Sequence, residues 1–289
     1  MHRFTRTMAA AGLAVAGLTA TATAPAASAA TTPAPGKIKA AYAEVENAAT
    51  GTALWSRSDT TEVPMGSITK VMTAYVVLSE GNLNRLITVP DGIVAYDKEY
   101  GASTAGLKPG QQLTARQLLY AMLVPSGCDA AYTLAQAYGP GLSAFIAKMN
   151  STAAALGLTR THFTDFSGLP DPTETSTYSD AKDLISLGRD AMRLPLFASI
   201  VQTASYHLDK VHGEHPAFTW TTTNPLLGTY PGTVGIKTGN TDAARDCLLF
   251  EAVRDGVPII GVVLDDKTWK AVTKDAVALL NYGFSVSPS

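Results

Sequence analysis

The sequence predicts a mixed α/β (α+β) protein, with one antiparallel sheet built from both ends of the chain and a set of helices inserted between them. Three observations predict it. Apolar and polar residues alternate from about residue 37 to 55, the period-two pattern of half-buried strands, and strand-like segments return beyond about residue 204. Between about 67 and 193 the apolar residues instead recur at spacings of three and four, as on helices. Short polar or Gly/Pro-rich stretches punctuate that middle, dividing it into several helices. The sheet domain is therefore expected over 37–66 and 205–285, and an all-helical domain over 67–204. A long insert between two sheet strands leaves a seam, where ligand sites are favoured.

Taken in order, 1–29 reads as a secretory signal. Arg3 and Arg6 supply the basic head, an Ala/Gly/Leu/Val-rich run begins at Met8, and Ala27-Ser28-Ala29 is a small-residue cleavage site. No cysteine follows the run, which argues against a lipid anchor, and 30–36 reads as a disordered Ala/Thr/Pro leader. Residues 37–55 predict a hairpin: IKAAYAEVEN, the turn AATGT, then ALWSRS. In VPMGSITKVMTAYVV (63–77), Ile68, Val71, Met72, Tyr75 and Val76 fall at helical spacing, and Ala74 and Val77 fill the other side. A helix that is apolar nearly all round is a buried one. Further helices are predicted over 114–123 (TARQLLYAML), 129–138 (DAAYTLAQAY), 141–156 (GLSAFIAKMNSTAAAL) and 179–192, the last with Ser179 as its N-cap. Strands follow over 233–240 (TVGIKTGN), 246–256 (DCLLFEAVRDG) and 257–266 (VPIIGVVLDD), and a helix from 269 to 282 closes the chain.

Composition excludes several function classes. Without the signal, 20 basic residues face 24 acidic ones over about 260 residues, and no basic patch suggests nucleic acid. The final LLNYGFSVSPS has neither a long apolar run nor an amphipathic basic tail, so no stable membrane anchor is expected. The expectation is a secreted, extracellular monomer. Cys128 and Cys247 belong to a helical turn and to a separate strand, and are expected as free thiols. Two cysteines make no metal site, and His212-Gly213-Glu214-His215 reads as a solvated turn rather than a zinc motif. No G-x-S-x-G elbow occurs, which counts against an α/β-hydrolase.

The chemistry starts at Ser67 and Lys70. Three apart at the head of an apolar helix, they share a face. Burial disfavours a charged ammonium, and a neutral lysine within reach of a hydroxyl is a base beside a nucleophile. Ser-x-x-Lys is weak alone: Ser179-Asp180-Ala181-Lys182 repeats it at an ordinary helix start. Two further motifs strengthen it. Val124-Pro125-Ser126-Gly127-Cys128-Asp129 breaks two helices and leaves Ser126 on a tight turn. Gly235-Ile236-Lys237-Thr238-Gly239-Asn240 ends a strand at a glycine with no side chain to block a ligand.

In this order, 59 and 111 residues apart, the three resemble the S-x-x-K, S-x-N and K-T-G set of penicillin-binding serine peptidases. The likeness extends through LTARQLLYAMLVPSG, FIAKMN, TYSDAKDL and NYGF, and points to the low-molecular-mass D-alanyl-D-alanine carboxypeptidases and transpeptidases. It implies a DD-peptidase/β-lactamase-like fold, a peptidoglycan stem peptide ending in D-Ala-D-Ala as substrate, β-lactams as inhibitors, and no cofactor. It also implies roles: Ser67 as nucleophile, Lys70 as its base, and Ser126 as proton relay. Lys237 and Thr238 would bind the terminal carboxylate at the Gly239 strand end, and the Ser67 and Asn240 amides would hold the oxyanion. The second motif departs from the usual pattern, since Cys128 stands where the family usually has asparagine. That resembles a soluble, strongly transpeptidating branch and leaves one polar substrate contact to a thiol or a neighbour. A β-lactamase of the same fold would need a Glu-x-x-x-Asn loop, but here Glu174 is followed four residues on by Tyr178. A non-catalytic penicillin- or wall-binding protein is the other alternative, disfavoured by intact nucleophile and lysine positions.

Overall fold

The structure, a computed structural model, describes residues 34–287. The predicted signal and most of the leader lie outside them. Strands β1 (Tyr42–Asn47) and β2 (Thr52–Arg57) form the predicted hairpin around the Ala48–Gly51 turn. A single 3-10 turn, Gly66–Thr69, runs into α1 (Lys70–Glu80). Next come β3 (Leu86–Thr88), α2 (Gly92–Tyr100), β4 (Gln112–Thr114), α3 (Ala115–Leu123), α4 (Cys128–Tyr138) and α5 (Leu142–Ala155). Helices α6 (Ala181–Met192) and α7 (Pro195–Val201) precede a small hairpin of β5 (Ser205–Leu208) and β6 (Phe218–Thr221). The chain ends with β7 (Thr233–Thr241), β8 (Arg245–Arg254), β9 (Val257–Asp266) and α8 (Trp269–Val286).

The main sheet has the order β2-β1-β9-β8-β7, antiparallel throughout, so both ends of the described chain contribute to it. Alternation divides its two faces. Ala43, Val45, Leu248, Phe250, Ile259 and Val263 bury one face against Val272, Ala276, Leu279 and Leu280 of α8. Cys247, Leu249, Ile260 and Val262 bury the other in the larger core that also holds α1, α3, α4, α6 and α7. Gly188 lets α6 lie close on that second face. A Cβ there would stand 3.1 Å from Leu249 and 3.2 Å from Ile260.

Most predicted elements are present within a residue or two, and the departures have physical reasons. Helix α6 starts at Ala181, not at Ser179, because Asp180 is the cap: its carboxylate accepts the Asp183 N–H at 2.7 Å. Ser179 is buried and bridged to Val63 instead. Helix α2 and strands β3 to β6 were not predicted: the strands are three or four residues long, and α2 buries only Ile93 and Tyr96. His215 is also not the solvated residue expected of its turn; it is buried, with Nδ1 at the Pro216 carbonyl. Among the described residues no cluster fit for a metal ion occurs, and no helix is long and apolar enough to cross a membrane.

Candidate active site

The 3-10 turn places Ser67 half-exposed just before α1, while Lys70 is fully buried in the first turn of that helix. Lys70 Nζ lies 2.7 Å from Ser67 Oγ, 3.3 Å from Cys128 Sγ and 3.1 Å from the Ser167 carbonyl. A hydroxyl and an amine thus stand in hydrogen-bond contact, as their i, i+3 spacing predicts.

Ser126 sits between α3 and α4 with φ +67, a conformation that costs a non-glycine residue roughly 1–3 kcal/mol unless its surroundings hold it. Ser103 holds it from both sides: its Oγ donates to the Ser126 carbonyl at 2.7 Å, and its own carbonyl accepts the Cys128 N–H at 2.8 Å. The Asp129 carboxylate, buried behind them, anchors the same loop by accepting the Ala105 and Leu107 N–H groups. Ser126 Oγ in turn accepts from Lys237 Nζ at 2.9 Å.

Lys237 comes from β7, at the edge of the sheet. Its ammonium is buried and also reaches the Thr238 carbonyl at 3.1 Å and Thr238 Oγ1 at 3.3 Å. Burial, and then the neighbouring Lys70 charge, hold Lys237 well below the ordinary lysine range. Thr238 Oγ1 also meets Thr223 Oγ1 at 2.6 Å. The nucleophile turn and β7 touch backbone to backbone through two glycines. A Cβ on Gly239 would lie 2.2 Å from the Met65 carbonyl, and one on Gly66, at φ +53, would lie 2.6 Å from the Asn240 nitrogen. Close approach of the two segments requires glycine at both places. The Asn240 amide is thereby placed next to the Ser67 turn, while its side chain donates to Asp246 at 2.7 Å.

All three sequence motifs therefore converge on one cleft of about 670 Å³. A family model described as D-alanyl-D-alanine carboxypeptidase matches residues 27–268. The chain belongs to that family. It is 39% identical over 251 residues to the D-alanyl-D-alanine carboxypeptidase of Streptomyces sp. strain K15, covering 83% of this chain and 85% of that protein. A D-alanyl-D-alanine carboxypeptidase of Mycobacterium tuberculosis is 36% identical over 242 residues, covering 83% of this chain and 80% of its own. The crystal structure of the Streptomyces K15 DD-transpeptidase superposes with a TM-score of 0.83 at 38% identity, over 88% of this chain and all (100%) of that one.

Within this carboxypeptidase-family fold the cleft is lined by Ser67, Ser126, Thr238, Gly239 and Asn240, and Lys70, Lys237 and Cys128 lie behind its wall. The expectation that Cys128 faces substrate thus changes. The side chain is 1% exposed and its Sγ faces Lys70, with Ser103 Oγ at 3.7 Å. Both cysteines are free and buried, and burial pushes the Cys247 thiol up to about 12. Motif spacing missed Tyr100, Ser103, Thr223, Glu174, Asp242 and Trp269, all of which line the cleft. They come from loops and element ends, where no periodicity marks them. Nor did it single out Ser167, whose contribution is a backbone carbonyl.

Proposed function

We propose that the protein is a serine D-alanyl-D-alanine peptidase acting on peptidoglycan stem peptides, as carboxypeptidase or transpeptidase, through an acyl-enzyme on Ser67. The observation that carries the reading is the pairing of two hydroxyls with two buried lysines in one cleft, Ser67 with Lys70 at 2.7 Å and Ser126 with Lys237 at 2.9 Å. An unprotonated lysine amine has two N–H bonds and one lone pair. Once Lys70 has given up its own extra proton, the Ser167 carbonyl and Cys128 Sγ take its two remaining N–H groups, and the lone pair then faces Ser67 and accepts its proton as Oγ attacks the penultimate D-Ala carbonyl. The amides of Ser67 and Asn240 hold the oxyanion, a contribution of order 3 kcal/mol per donor. Ser126 passes a proton to the departing D-Ala nitrogen. Lys237, Thr238 and Thr223 receive the terminal carboxylate. Water or an amine then takes the acyl group, and that choice separates carboxypeptidase from transpeptidase.

The predicted signal segment supports export to the cell-wall space, where such substrates occur. A β-lactam mimics the D-Ala-D-Ala end, so it acylates the same serine. Its leaving group stays tethered, and between the Ser126 and Lys237 motifs the chain has no Glu-x-x-x-Asn loop to drive water in. General-base assistance is typically worth 10²- to 10⁴-fold, so the adduct is expected to persist for minutes to hours. The test is labelling by a fluorescent penicillin: one stable adduct per chain, lost in Ser67→Ala, is expected. Rapid steady turnover of a chromogenic cephalosporin would make the protein a β-lactamase instead, and absence of any adduct would make it a non-catalytic relative. Incubation with a diacyl-Lys-D-Ala-D-Ala peptide, with and without a glycyl acceptor, separates hydrolysis from transfer.

A further inference from the structure

We propose that Asp165 is a positioning residue for Lys70, folding residues 165–169 around its carboxylate so that the Ser167 carbonyl is fixed at the lysine amine. The inference rests on the reading of Ser67 as nucleophile and Lys70 as its base. Asp165 is fully buried. Its Oδ1 accepts from Ser167 N at 2.7 Å, Ser167 Oγ at 2.8 Å, Gly168 N at 2.6 Å and Leu169 N at 2.9 Å. Its Oδ2 accepts from Tyr96 OH of α2 at 2.7 Å. Hydrogen bonds to an ionised acceptor are roughly twice as strong as neutral ones, so one carboxylate fixes three consecutive backbone amides. That leaves the Ser167 carbonyl for Lys70 Nζ, 3.1 Å away.

The same loop is seated on the nucleophile turn. Gly168, at φ +86, would bring a Cβ to 2.0 Å from the Gly66 carbonyl, so only glycine fits between Asp165's loop and the residue preceding Ser67. Tyr96 is buried among Tyr100, Tyr132 and Phe166, and its hydroxyl lies 2.6 Å from Ser167 Oγ as well. Burial and the Asp165 charge hold its phenol well above the ordinary tyrosine range, which keeps it a donor. In the stretch between the second and third motifs, this chain therefore uses a buried carboxylate to aim the base. Without a fixed Ser167 acceptor the Lys70 amine can rotate, and its lone pair no longer has to face Ser67. The groups that would receive the terminal carboxylate, Lys237, Thr238 and Thr223, belong to other segments, and of residues 165–169 only Leu169 lines the cleft.

The experiment measures acylation of the full chain by a fluorescent penicillin, separating the limiting rate at saturation from the concentration giving half that rate. Asp165→Asn keeps the shape but removes the charge; Asp165→Ala removes every bond to the loop. A misplacement of 1 Å can cost about 100-fold. The limiting rate is accordingly expected to fall about tenfold in the first and about 100-fold in the second, with half-saturation changed less than about twofold. The rate is expressed per Ser67 that finally becomes labelled, so a partly unfolded sample does not imitate a slow one. If Asp165→Ala fails to fold, Asp165→Asn decides alone. A limiting rate in Asp165→Asn within twofold of wild type, or a rate and affinity that fall together, overturns the proposal. A wild-type chain that takes no label on Ser67 overturns the functional reading beneath it, a result distinct from either.

Discussion

Lys70 carries an amine wholly inside the protein, held by a serine oxygen, a thiol and a backbone carbonyl. If that amine takes the Ser67 proton, a side chain that cannot release its own proton fails in its place. Guanidinium stays protonated in proteins, so Lys70→Arg is expected to lower the limiting acylation rate by at least about 100-fold, the low end of general-base catalysis. Circular dichroism should show the fold retained; a variant with more than a few per cent of the rate would remove Lys70 from the proton transfer. The Ser67–Lys70 contact was legible because i, i+3 spacing on an apolar helix fixes a shared face. Asp165 was not, because its partners are backbone amides of an irregular loop, and nothing in the spacing of FTDFSGLP announces them. Cys128 was half legible: its place beside Ser126 follows from the turn, but its direction, toward Lys70 and away from the cleft, needs the packed helices.

Among elements, β7 and the 3-10 turn make the contact on which the cleft depends. Long strands such as β8 and β9 could be read from the chain because their apolar runs are long, and amphipathic helices such as α3 and α6 because helical spacing persists over nine or more residues. The β5–β6 hairpin, at four residues a strand, gives too short a sample. The glycine at the end of β7 was read as leaving room for a ligand, and it also leaves room for Met65. Gly239→Ala is therefore expected to push β7 from the Ser67 turn, since its methyl group would lie 2.2 Å from the Met65 carbonyl. Penicillin labelling should slow by about 100-fold or more, as misplacement of this order does elsewhere, while the melting temperature falls only a few degrees. Labelling at the wild-type rate would mean that the two segments can separate without cost to the site.

For the whole molecule, acids buried under α6 contribute to the pH dependence. Glu44 on β1 and Glu251 on β8 each have a carboxylate oxygen with no hydrogen-bond partner among the described residues. Glu46, beside them, is paired with Arg189 of α6 at 3.2 Å. Burial, then the neighbouring Glu46 and Asp59, raise Glu44 from 4.5 to about 8, and burial raises Glu251 to about 7. Such a carboxyl keeps its proton in the folded protein after the unfolded chain has lost it. Between 4.5 and about 8 the folded state therefore binds more protons, and stability falls as pH rises. Lys237, held below its ordinary range, acts in the opposite sense, because between its lowered and ordinary values the unfolded chain binds the extra proton. Glu44→Gln isolates the acid contribution. Its unfolding free energy should match wild type near pH 5 and exceed it increasingly toward pH 8, by a margin on the order of a few kcal/mol. A difference independent of pH would place the Glu44 proton elsewhere.

The position of β9 between β1 and β8 has a consequence for the order in which the protein can come into being. Until the last 33 residues, from Val257 on, have left the ribosome, β1–β2 and β7–β8 are two unjoined ribbons, and two-stranded ribbons are marginally stable at best in water. The join then closes a loop of more than 200 residues, from Asn47 to Val257, the kind of non-local pairing that forms slowly. The sheet is thus joined only once β9 has been made. A chain ending at Asp255 retains Ser67, Lys70, Ser126, Lys237 and Asn240, yet it should take up no penicillin, and proteolysis should degrade it as an unfolded polypeptide. Labelling of that truncated chain would show that its cleft assembles before its sheet does.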